Sequence, residues 1–214
     1  MIAFACAYGG PKTHLLYQAL LEGLVKNLRG VCPREKLLYV TDDDMPKLFG
    51  VDTMRITRNM PLMTWRLKAH QFAHAHADEI LFVEPDVRLR ENIMGEFADK
   101  DFDIAVTPRE DDVFVEGEKL QAPYTQGTTF SRSVNFWREA KLYCQTLPEK
   151  EQGWFGDLYS IAHVIDGGMY RVKKLDGAVY NHIPNDPKEA VTAKAVHYKG
   201  KRKSWLFQQV KEAA

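Results

Sequence analysis

The chain has 214 residues, of which 45% are apolar, enough to bury one hydrophobic core. Its 29 lysines and arginines balance 29 aspartates and glutamates, which excludes a protein that coats nucleic acid through uniform positive charge. No stretch approaches the roughly 20 apolar residues that span a bilayer, and the start of the chain lacks the basic segment of an export signal. We therefore predict one domain, spanning residues 1–214, in a soluble protein.

The first half of the chain alternates strand and helix patterns. Residues 2–8 form a continuous apolar run, typical of a strand that is buried on both faces. Leucines at helical spacing follow, with Thr13 as the predicted N-cap and Gly30 as the stop. The predicted elements of this half are strands at 2–8, 36–40, 53–57 and 79–83 and helices at 13–29 and 64–77. Repeated units of this size predict an α/β fold with a mostly parallel sheet and flanking helices.

The second half has a looser pattern. An acidic hairpin is predicted around Glu116 and Gly117, and a closing helix is predicted from Ser204. The other predicted elements are strands at 103–107, 128–131, 169–175, 178–183 and 194–198 and helices at 133–147 and 154–165. The sequence shows no repeat and no linker, which supports the prediction of a single domain.

The three cysteines of the chain indicate the redox state of the cellular compartment in which the protein folds. Cys6, Cys32 and Cys144 are odd in number and far apart in the sequence. They therefore indicate neither a disulfide framework nor a four-thiolate zinc site. A reducing compartment suits such a chain, and we predict a cytoplasmic protein.

The neutral net charge hides two opposed segments. Residues 99–118 contain eight acidic and two basic side chains, whereas residues 171–214 contain ten basic and four acidic ones. Runs of like charge usually form solvated surface. The basic segment can also form an anion site if other groups converge on it.

Carboxylates follow two of the predicted strands. Asp42, Asp43 and Asp44 come after the second strand, and Glu84 and Asp86 flank a proline after the fourth. Parallel sheets bind ligands at the carboxyl ends of their strands, and oxygen ligands suit a hard divalent cation. A Glu-Pro-Asp segment alone is also typical of a polar turn, so the metal prediction needs further groups.

Two later segments supply such groups. His197 ends a predicted strand, and Gly200 and Lys203 follow it among other cations. Small and hydroxylated residues surround Gly127, where bulky side chains would exclude a ligand. Neither the dinucleotide fingerprint nor the P-loop pattern is present in the sequence. The carboxylate pair, the histidine and the lysine-rich loop together predict a metal and diphosphate site.

The same segments carry a resemblance to a known family. Glu84-Pro85-Asp86 stands in place of a D-x-D metal motif, and Thr125-Gln126-Gly127 stands in place of an N-x-G sugar motif. The segment from His197 to Trp205 resembles an H-x-x-G-x-x-K-P-W motif, with serine at the proline position. From residue 2 to residue 205, the chain resembles small GT-A glycosyltransferases of the glycogenin and galactosyltransferase-like group, family 8.

The resemblance implies a GT-A fold and the transfer of a sugar from a nucleotide diphosphate sugar, a UDP-sugar, with retention of anomeric configuration. An aspartate that acts as general base on the acceptor would instead give inversion. It implies that Glu84, Asp86 and His197 hold Mn2+ or Mg2+, and this mixed ligand set favours manganese. It places Asp157 with Asp86 in the catalytic centre, although an aspartate at a helix start also stabilises the helix. The implied donor-binding residues are Ala7, Tyr8, Asp42, Arg66, Lys68, Gln126, Gly127, Gly200 and Lys203.

Two other functions stay open on the sequence alone. A sugar-phosphate nucleotidyltransferase uses a similar sheet and carboxylate pair, but the residues after the first strand match its Gly- and Arg-rich loop poorly. A non-catalytic nucleotide-sugar binding protein is favoured by the glutamate at the first metal position. The acceptor is equally open: a glycan, a protein, a small molecule or a modified nucleic acid.

Overall fold

The strands and helices alternate along the chain. In chain order they are β1 (Ile2–Cys6), α1 (Pro11–Val31), β2 (Leu37–Thr41), β3 (Asp52–Arg55), α2 (Leu62–Ala73), β4 (Ile80–Val83), β5 (Val87–Leu89), β6 (Ile104–Pro108), β7 (Phe114–Val115), β8 (Glu118–Lys119), β9 (Tyr124–Ser131), α3 (Val134–Cys144), α4 (Glu149–Gly153), α5 (Gly156–Asp166), β10 (Val172–Lys174), α6 (Gly177–Tyr180) and β11 (Ala195–His197). Short 3-10 helices lie at Met94–Phe97 and Gly200–Arg202. This computed structural model describes residues 1–7, 9–99, 101–109, 114–115, 118–119, 122–187, 189 and 192–206. No helix within those ranges is long and apolar enough to cross a bilayer.

Among the described residues, seven strands form one sheet in the spatial order β10-β6-β9-β4-β1-β2-β3. Strands β3, β2, β1 and β4 run parallel to one another, and β10 runs parallel to β6. Strand β9 lies antiparallel between β4 and β6. The predicted α/β fold, with a mostly parallel central sheet and flanking helices, is therefore confirmed.

The sheet is buried on both faces, which explains the continuous apolar runs of its central strands. All five residues of β2 are buried, and Ile2 and Phe4 of β1 belong to the core that includes helix α1. Ala3 belongs to a second core, with Trp65 of α2 and Trp137 of α3. Alternate residues of one strand thus enter two cores, as the two-residue period of a strand requires.

The prediction of a strand at residues 178–183 is wrong. Gly177–Tyr180 forms helix α6 instead, because the Asp176 carboxylate caps its start by accepting a hydrogen bond from the Ala178 amide at 2.9 Å. His182 makes only an isolated bridge to β11. An apolar pattern in so short a segment does not distinguish a strand from a helix, and the cap decides between them.

The start of α1 also differs from the prediction. The expected N-cap, Thr13, lies inside the helix, which begins at Pro11 with Gly10 as its N-cap. Proline suits the first helical position because it lacks an N–H that would have no partner there. Gly30 lies within the last turn and does not end the helix.

Short elements account for the other differences. Strand β5 and helix α4 have no counterpart in the sequence prediction, because three and five residues are too few to show a period. Strands β7 and β8 pair antiparallel where a hairpin is predicted, but Glu116 and Gly117 at its centre lie outside the described residues. Residues 203–206 are helical, and the rest of the predicted closing helix also lies outside them.

Some aspartates of the acidic segment 99–118 pair with basic residues at one edge of the sheet. Arg171 contacts the carboxylates of Asp101 and Asp103 at 2.9 and 3.1 Å. Lys173 of β10 lies 4.0 Å from Asp99. The pairing of β10 with β6 brings the two opposed charge segments together here, and such exposed ion pairs contribute little to stability.

His74, at the end of α2, accepts a hydrogen bond from the buried hydroxyl of Ser131. Trp137 Nε1 and the Ser133 amide both donate to Ser131 Oγ, at 2.8 and 3.4 Å. The hydroxyl proton is therefore directed to His74 Nε2, 2.9 Å away. Burial, which disfavours the charged imidazole, lowers the pKa of His74 from 6.5 to about 4.

Acidification should therefore lower the free energy of unfolding through His74. Its pKa is lower in the folded chain than in the unfolded chain, so its contribution is complete above pH 6.5 and is lost as the pH falls toward 4. The full loss is about 3 kcal/mol. Denaturant unfolding from neutral pH down to pH 4 measures it, with His74→Gln as a variant that keeps an acceptor but does not titrate. The variant should have the flatter pH profile, and equal profiles would contradict the prediction.

Candidate active site

Two short strands bring the predicted metal ligands together. Glu84 follows β4 and Asp86 precedes β5, and the Val87 amide closes the turn by donating to the Glu84 carbonyl at 3.0 Å. Strand β5 pairs antiparallel with β11, in which His197 stands opposite Val87. The Tyr198 amide continues this ladder by donating to the Asp86 carbonyl at 2.9 Å. The ladder thus places His197 beside two carboxylates that precede it by more than a hundred residues.

The three predicted metal ligands form one cluster at the carboxyl end of β4. His197 Nε2 lies 3.1 Å from Glu84 Oε2 and 3.3 Å from Asp86 Oδ1. One potential ligand atom from each residue lies within 4.8 Å of the others. Asp86 and His197 are buried and Glu84 is partly buried, so bulk water does not surround the cluster.

The imidazole of His197 has one satisfied and one unsatisfied nitrogen. Its Nδ1–H donates to Asn181 Oδ1 at 3.0 Å, so the neutral form of the ring has its lone pair on Nε2. Nε2 is buried and has hydrogen-bond geometry with neither carboxylate. A lone pair that faces two carboxylates is repelled unless a proton or a cation lies between them. Two carboxylates, and an imidazole whose far nitrogen is held by an amide, therefore fit a divalent cation such as Mn2+.

The same carboxylates also attract a proton to His197. Burial lowers the pKa of the imidazole, but Asp86 and Glu84 outweigh burial and raise that pKa to about 9. Burial likewise opposes ionisation of Glu84, yet Arg66 and His197 keep the pKa of this carboxyl well below its ordinary value. A proton and a divalent cation therefore compete for one position between the three side chains.

Arg66 on α2 joins the cluster to Asp157. Its guanidinium forms a close ion pair with Glu84, and Nη1 lies 3.1 Å from Asp157 Oδ2. Asp157 is only 2% exposed, in the first turn of α5. Burial raises the pKa of its carboxyl, and Arg66 opposes this effect by stabilising the ionised form. Arg66 therefore bridges Asp157 to Glu84, a predicted metal ligand.

Lys203 flanks the cluster on the side of Asp86. Its Nζ atom lies 3.1 Å from Asp86 Oδ2 and 3.4 Å from the hydroxyl of Tyr17 on α1. Burial raises the pKa of the Asp86 carboxyl, but His197 and, to a smaller extent, Lys203 keep that pKa below its ordinary value. The predicted diphosphate-binding lysine therefore adjoins the predicted metal ligand.

Gly127 on β9 lies directly behind the imidazole. A Cβ atom there would lie 1.8 Å from Asn181 Oδ1 and 2.8 Å from His197 Nδ1, so only glycine leaves room for their hydrogen bond. The neighbouring Gln126 is buried, and its Oε1 and Nε2 have no hydrogen-bond partner in the described part of the chain. Both residues line a cavity of about 10 Å³ beside Arg66, which has room for one water-sized group.

No protein-family model matches the chain, and no curated protein matches it in sequence. Solved structures do match. A glycosyltransferase involved in glycosylation of the major capsid of PBCV-1 has a TM-score of 0.64 and 12% identity, over 98% of both chains. The galactosyltransferase LgtC, solved with donor and acceptor sugar analogs, has a TM-score of 0.59 and 14% identity, over 94% of this chain and 87% of LgtC. GlyE of Streptococcus pneumoniae TIGR4 has a TM-score of 0.64 and 14% identity, over 99% of this chain and 63% of GlyE.

All three proteins are glycosyltransferases, and each match extends over nearly the whole of this chain. The chain has the GT-A glycosyltransferase fold. This result confirms the resemblance to GT-A glycosyltransferases that the motifs carry. At 12 to 14% identity the likeness establishes the fold, and the chemistry has to be argued from the residues of this chain.

Other predicted donor residues lie at the ends of neighbouring strands of the GT-A sheet. Ala7 follows β1 and Asp42 follows β2. Thr41 Oγ1 donates to the Cys6 carbonyl at 2.8 Å, which ties these two strand ends together. Asp42 is buried, and its Oδ2 lies 3.9 Å from Arg58. The strand ends thus form a second polar region, next to β4 on the side of β1 and β2.

The structure does not bring Lys68 to the cluster. Its Nζ atom lies 5.5 Å from the ring centre of Phe72, one turn further along α2. Arg66 and Lys68 are two residues apart, so they leave the helix in different directions.

Gly200 begins the 3-10 helix before Lys203 with a φ of 65°, a left-handed conformation that favours glycine. Tyr8 lies outside the described residues.

Two residues of the cluster have no signal in the sequence. Asn181, which holds His197, lies in a segment with a strand-like pattern, and Tyr17, which contacts Lys203, lies within a leucine-rich helix. Both reach the site through tertiary contacts. No motif spacing relates them to the residues that they touch.

Proposed function

We propose that the protein is a metal-dependent glycosyltransferase that moves a hexose from a UDP-sugar to an acceptor. The observation that carries this proposal is the convergence of Glu84, Asp86 and His197, with an unsatisfied imidazole nitrogen, at the carboxyl end of β4. Ligands bind at that end of the strands in sheets of this kind. The GT-A fold, shared with three glycosyltransferases, supports the same interpretation.

In this proposal the charged cluster stabilises the leaving group. Negative charge grows on the diphosphate as its bond to the anomeric carbon breaks. Glu84, Asp86 and His197 would hold Mn2+ or Mg2+, and the ion would supply Lewis-acid stabilisation of that charge. Lys203, whose ammonium adjoins Asp86, donates to the diphosphate and adds a second positive charge.

The proposed partner of the sugar is Asp157. Positive charge grows at the anomeric carbon in the same step, and an ionised carboxylate nearby stabilises it. Arg66 supports that role because its guanidinium favours the ionised form of the buried Asp157 carboxyl and ties it to Glu84. Retention of anomeric configuration completes the proposed mechanism: the acceptor hydroxyl attacks the anomeric carbon from the face that the diphosphate leaves, and its proton passes to the departing diphosphate oxygen.

The remaining predicted residues hold the rest of the donor. The proposed contacts are Ala7, Tyr8 and Asp42 for the base and ribose, Gln126 and Gly127 for the sugar, and Gly200 and Lys68 for the nucleotide. The unsatisfied amide of Gln126 supports its assignment, because a donor hydroxyl would supply the missing hydrogen bonds. Lys68 would have to leave the ring of Phe72 to take part.

The acceptor and the compartment complete the proposal. A glycan, a protein, a small molecule or a modified nucleic acid can accept the sugar. A cytoplasmic location is supported by the free thiols of Cys6, Cys32 and Cys144, all of which are buried.

A panel of nucleotide sugars with Mn2+ tests the proposed function. At least one UDP-sugar should raise the melting temperature, since a ligand that binds only the folded chain stabilises it, and UDP release should follow. The same panel in EDTA is the control and should give no shift. The absence of a shift with every nucleotide sugar would contradict the proposal. A shift without turnover would indicate a non-catalytic binding protein, and synthesis of a nucleotide sugar from UTP and a sugar phosphate would indicate a nucleotidyltransferase.

A further inference from the structure

Arg88, the middle residue of β5, has a partly buried guanidinium directly behind the metal loop, the segment 84–86. Nη1 donates to the carbonyls of Pro85 and Val87 at 3.0 and 2.7 Å. Nη2 donates to the carbonyl of Leu20, on α1, at 3.1 Å. No carboxylate of the described ranges forms an ion pair with Arg88, and burial lowers the pKa of its guanidinium to about 10.

A cation in such a place reduces the stability of the fold, which suggests that Arg88 has a role other than stabilisation. A guanidinium that leaves water for three carbonyls is only partly compensated by the charge of the nearby Asp86, and an apolar side chain of similar size would fit with less desolvation. The neighbouring Val87 and Leu89 are apolar and buried. Neither the proposed donor contacts nor the proposed chemistry uses Arg88.

A second side chain ties the same strand to the same helix. Asn27 of α1 donates to the Leu89 carbonyl and accepts from the Leu89 amide, both at 2.8 Å. Strand β5 has only three residues and, in the part of the chain that the structure describes, pairs only with β11. Arg88 and Asn27 therefore fasten its other edge to α1. The same helix carries Tyr17, which contacts Lys203, so α1 is a common frame for the metal loop and for the lysine.

We propose that Arg88 is a positioning residue for the metal centre: it holds the carbonyl between Glu84 and Asp86 to helix α1 and so keeps both carboxylates directed at His197. The inference rests on the metal site of the proposed function. Arg88 is not itself a ligand, because its hydrogen bonds go to backbone carbonyls. It acts through the backbone of the metal loop.

The sign of a change in Mn2+ affinity separates this role from a purely electrostatic one. A fixed positive charge near Asp86 repels Mn2+, so removal of that charge alone would strengthen binding. Loss of positioning has the opposite effect, because the ligands must then be ordered as the metal binds.

Calorimetric titration of the full chain with MnCl2 tests the proposal on the wild type, Arg88→Met and Arg88→Lys. Methionine removes the charge and the hydrogen bonds but keeps much of the apolar stem. Lysine keeps the charge but lacks the planar fork that reaches carbonyls in different directions. Both variants should bind Mn2+ about ten- to a hundredfold more weakly than the wild type. Tighter binding by Arg88→Met, or wild-type affinity in both variants, would overturn the proposal.

Arg132→Met is the matched control for a loss of stability alone. Arg132 also donates to backbone carbonyls, those of Asp99 and Phe102 at 2.9 and 3.4 Å. Its contact with Glu79 places it at the end of β4 opposite the metal loop. Arg132→Met should lower the melting temperature and leave the Mn2+ affinity unchanged. An equal loss of affinity in this control would overturn the role of Arg88, because destabilisation alone would then account for it.

The wild-type titration separates the two proposals. If the wild type binds no Mn2+, the metal site of the proposed function fails, and the role of Arg88 fails with it. If the wild type binds Mn2+ and both Arg88 variants match it, the proposed function stands and only the role of Arg88 is overturned.

Discussion

The Asp86→Asn variant should bind Mn2+ about a hundredfold more weakly than the wild type, or not at all, and should lose metal-dependent release of UDP. The substitution keeps the volume of the side chain but removes one of the two negative charges that attract the cation. It also leaves the ammonium of Lys203 without the carboxylate that lies 3.1 Å away. Calorimetry with MnCl2 and a UDP-release assay with the nucleotide sugar selected by the panel measure the two effects.

Asp52→Asn is the matched control, because Asp52 is an exposed aspartate at the start of β3, at the amino ends of the parallel strands and so opposite the metal loop. It should leave both measurements unchanged. The circular dichroism spectrum of Asp86→Asn should be native, since the carbonyl that accepts the Tyr198 amide is retained. Unchanged turnover in Asp86→Asn would remove the metal centre from the proposed function.

The Gly127→Ala variant should lose both stability and metal affinity. The added Cβ would lie 1.8 Å from Asn181 Oδ1 and 2.8 Å from His197 Nδ1, far inside contact distance. Either Asn181 leaves its hydrogen bond or β9 shifts, and each outcome disturbs the imidazole. Overpacking of this kind costs about 1 to 3 kcal/mol. Loss of the amide that fixes the imidazole should weaken Mn2+ binding about tenfold or more.

Gly30→Ala is the control for the exchange of glycine for alanine. No atom outside the neighbouring helical backbone lies within 4 Å of a Cβ at Gly30, which is in the last turn of α1. This variant should be slightly more stable than the wild type, by about 0.5 kcal/mol, with unchanged Mn2+ affinity. Denaturant unfolding and calorimetry measure both quantities. Wild-type stability and affinity in Gly127→Ala would contradict the close packing of β9 against the hydrogen bond between Asn181 and His197.

The distribution of charge in the fold is more specific than the sequence indicates. The basic C-terminal segment predicts a single anion site, yet its lysine and arginine side chains lie in separate parts of the fold. Lys203 adjoins the metal ligands, whereas Arg171 pairs with Asp101 and Asp103 at the edge of the sheet. Only the first of these positions bears on the proposed chemistry. At the edge of the sheet, the acidic segment, for which the sequence offers no function, partly neutralises the charge of Arg171.

Part of the site could be predicted because it depends on local features. A continuous apolar run in the sequence indicates a buried strand. The residue types that follow the run indicate which ligands the carboxyl end of that strand can bind. Glu84 and Asp86 follow such a strand directly, and β4 ends where the pattern indicates. His197 likewise ends a short apolar run, which β11 confirms as a strand.

The rest could not be predicted because it depends on pairing and packing over long separations. The ladder between β5 and β11 sets the distance from Asp86 to His197, and β5 is too short to show a period. Lys68 has the expected spacing before the metal loop, but its helix directs it to Phe72. Residues 178–180 of the expected strand belong to helix α6, and Asn181, the C-cap of that helix, holds the imidazole through its side-chain oxygen.

The sequence by itself determined the α/β class of the fold, the resemblance to GT-A glycosyltransferases and the three candidate metal ligands. Periodicity and residue type are local properties, so they can be read without coordinates. Only the tertiary structure decided that these ligands meet and that Arg66 links them to Asp157. It alone also showed that Arg88 fastens their loop to α1. Those contacts depend on strand register and helix packing between distant segments, and no local spacing encodes either.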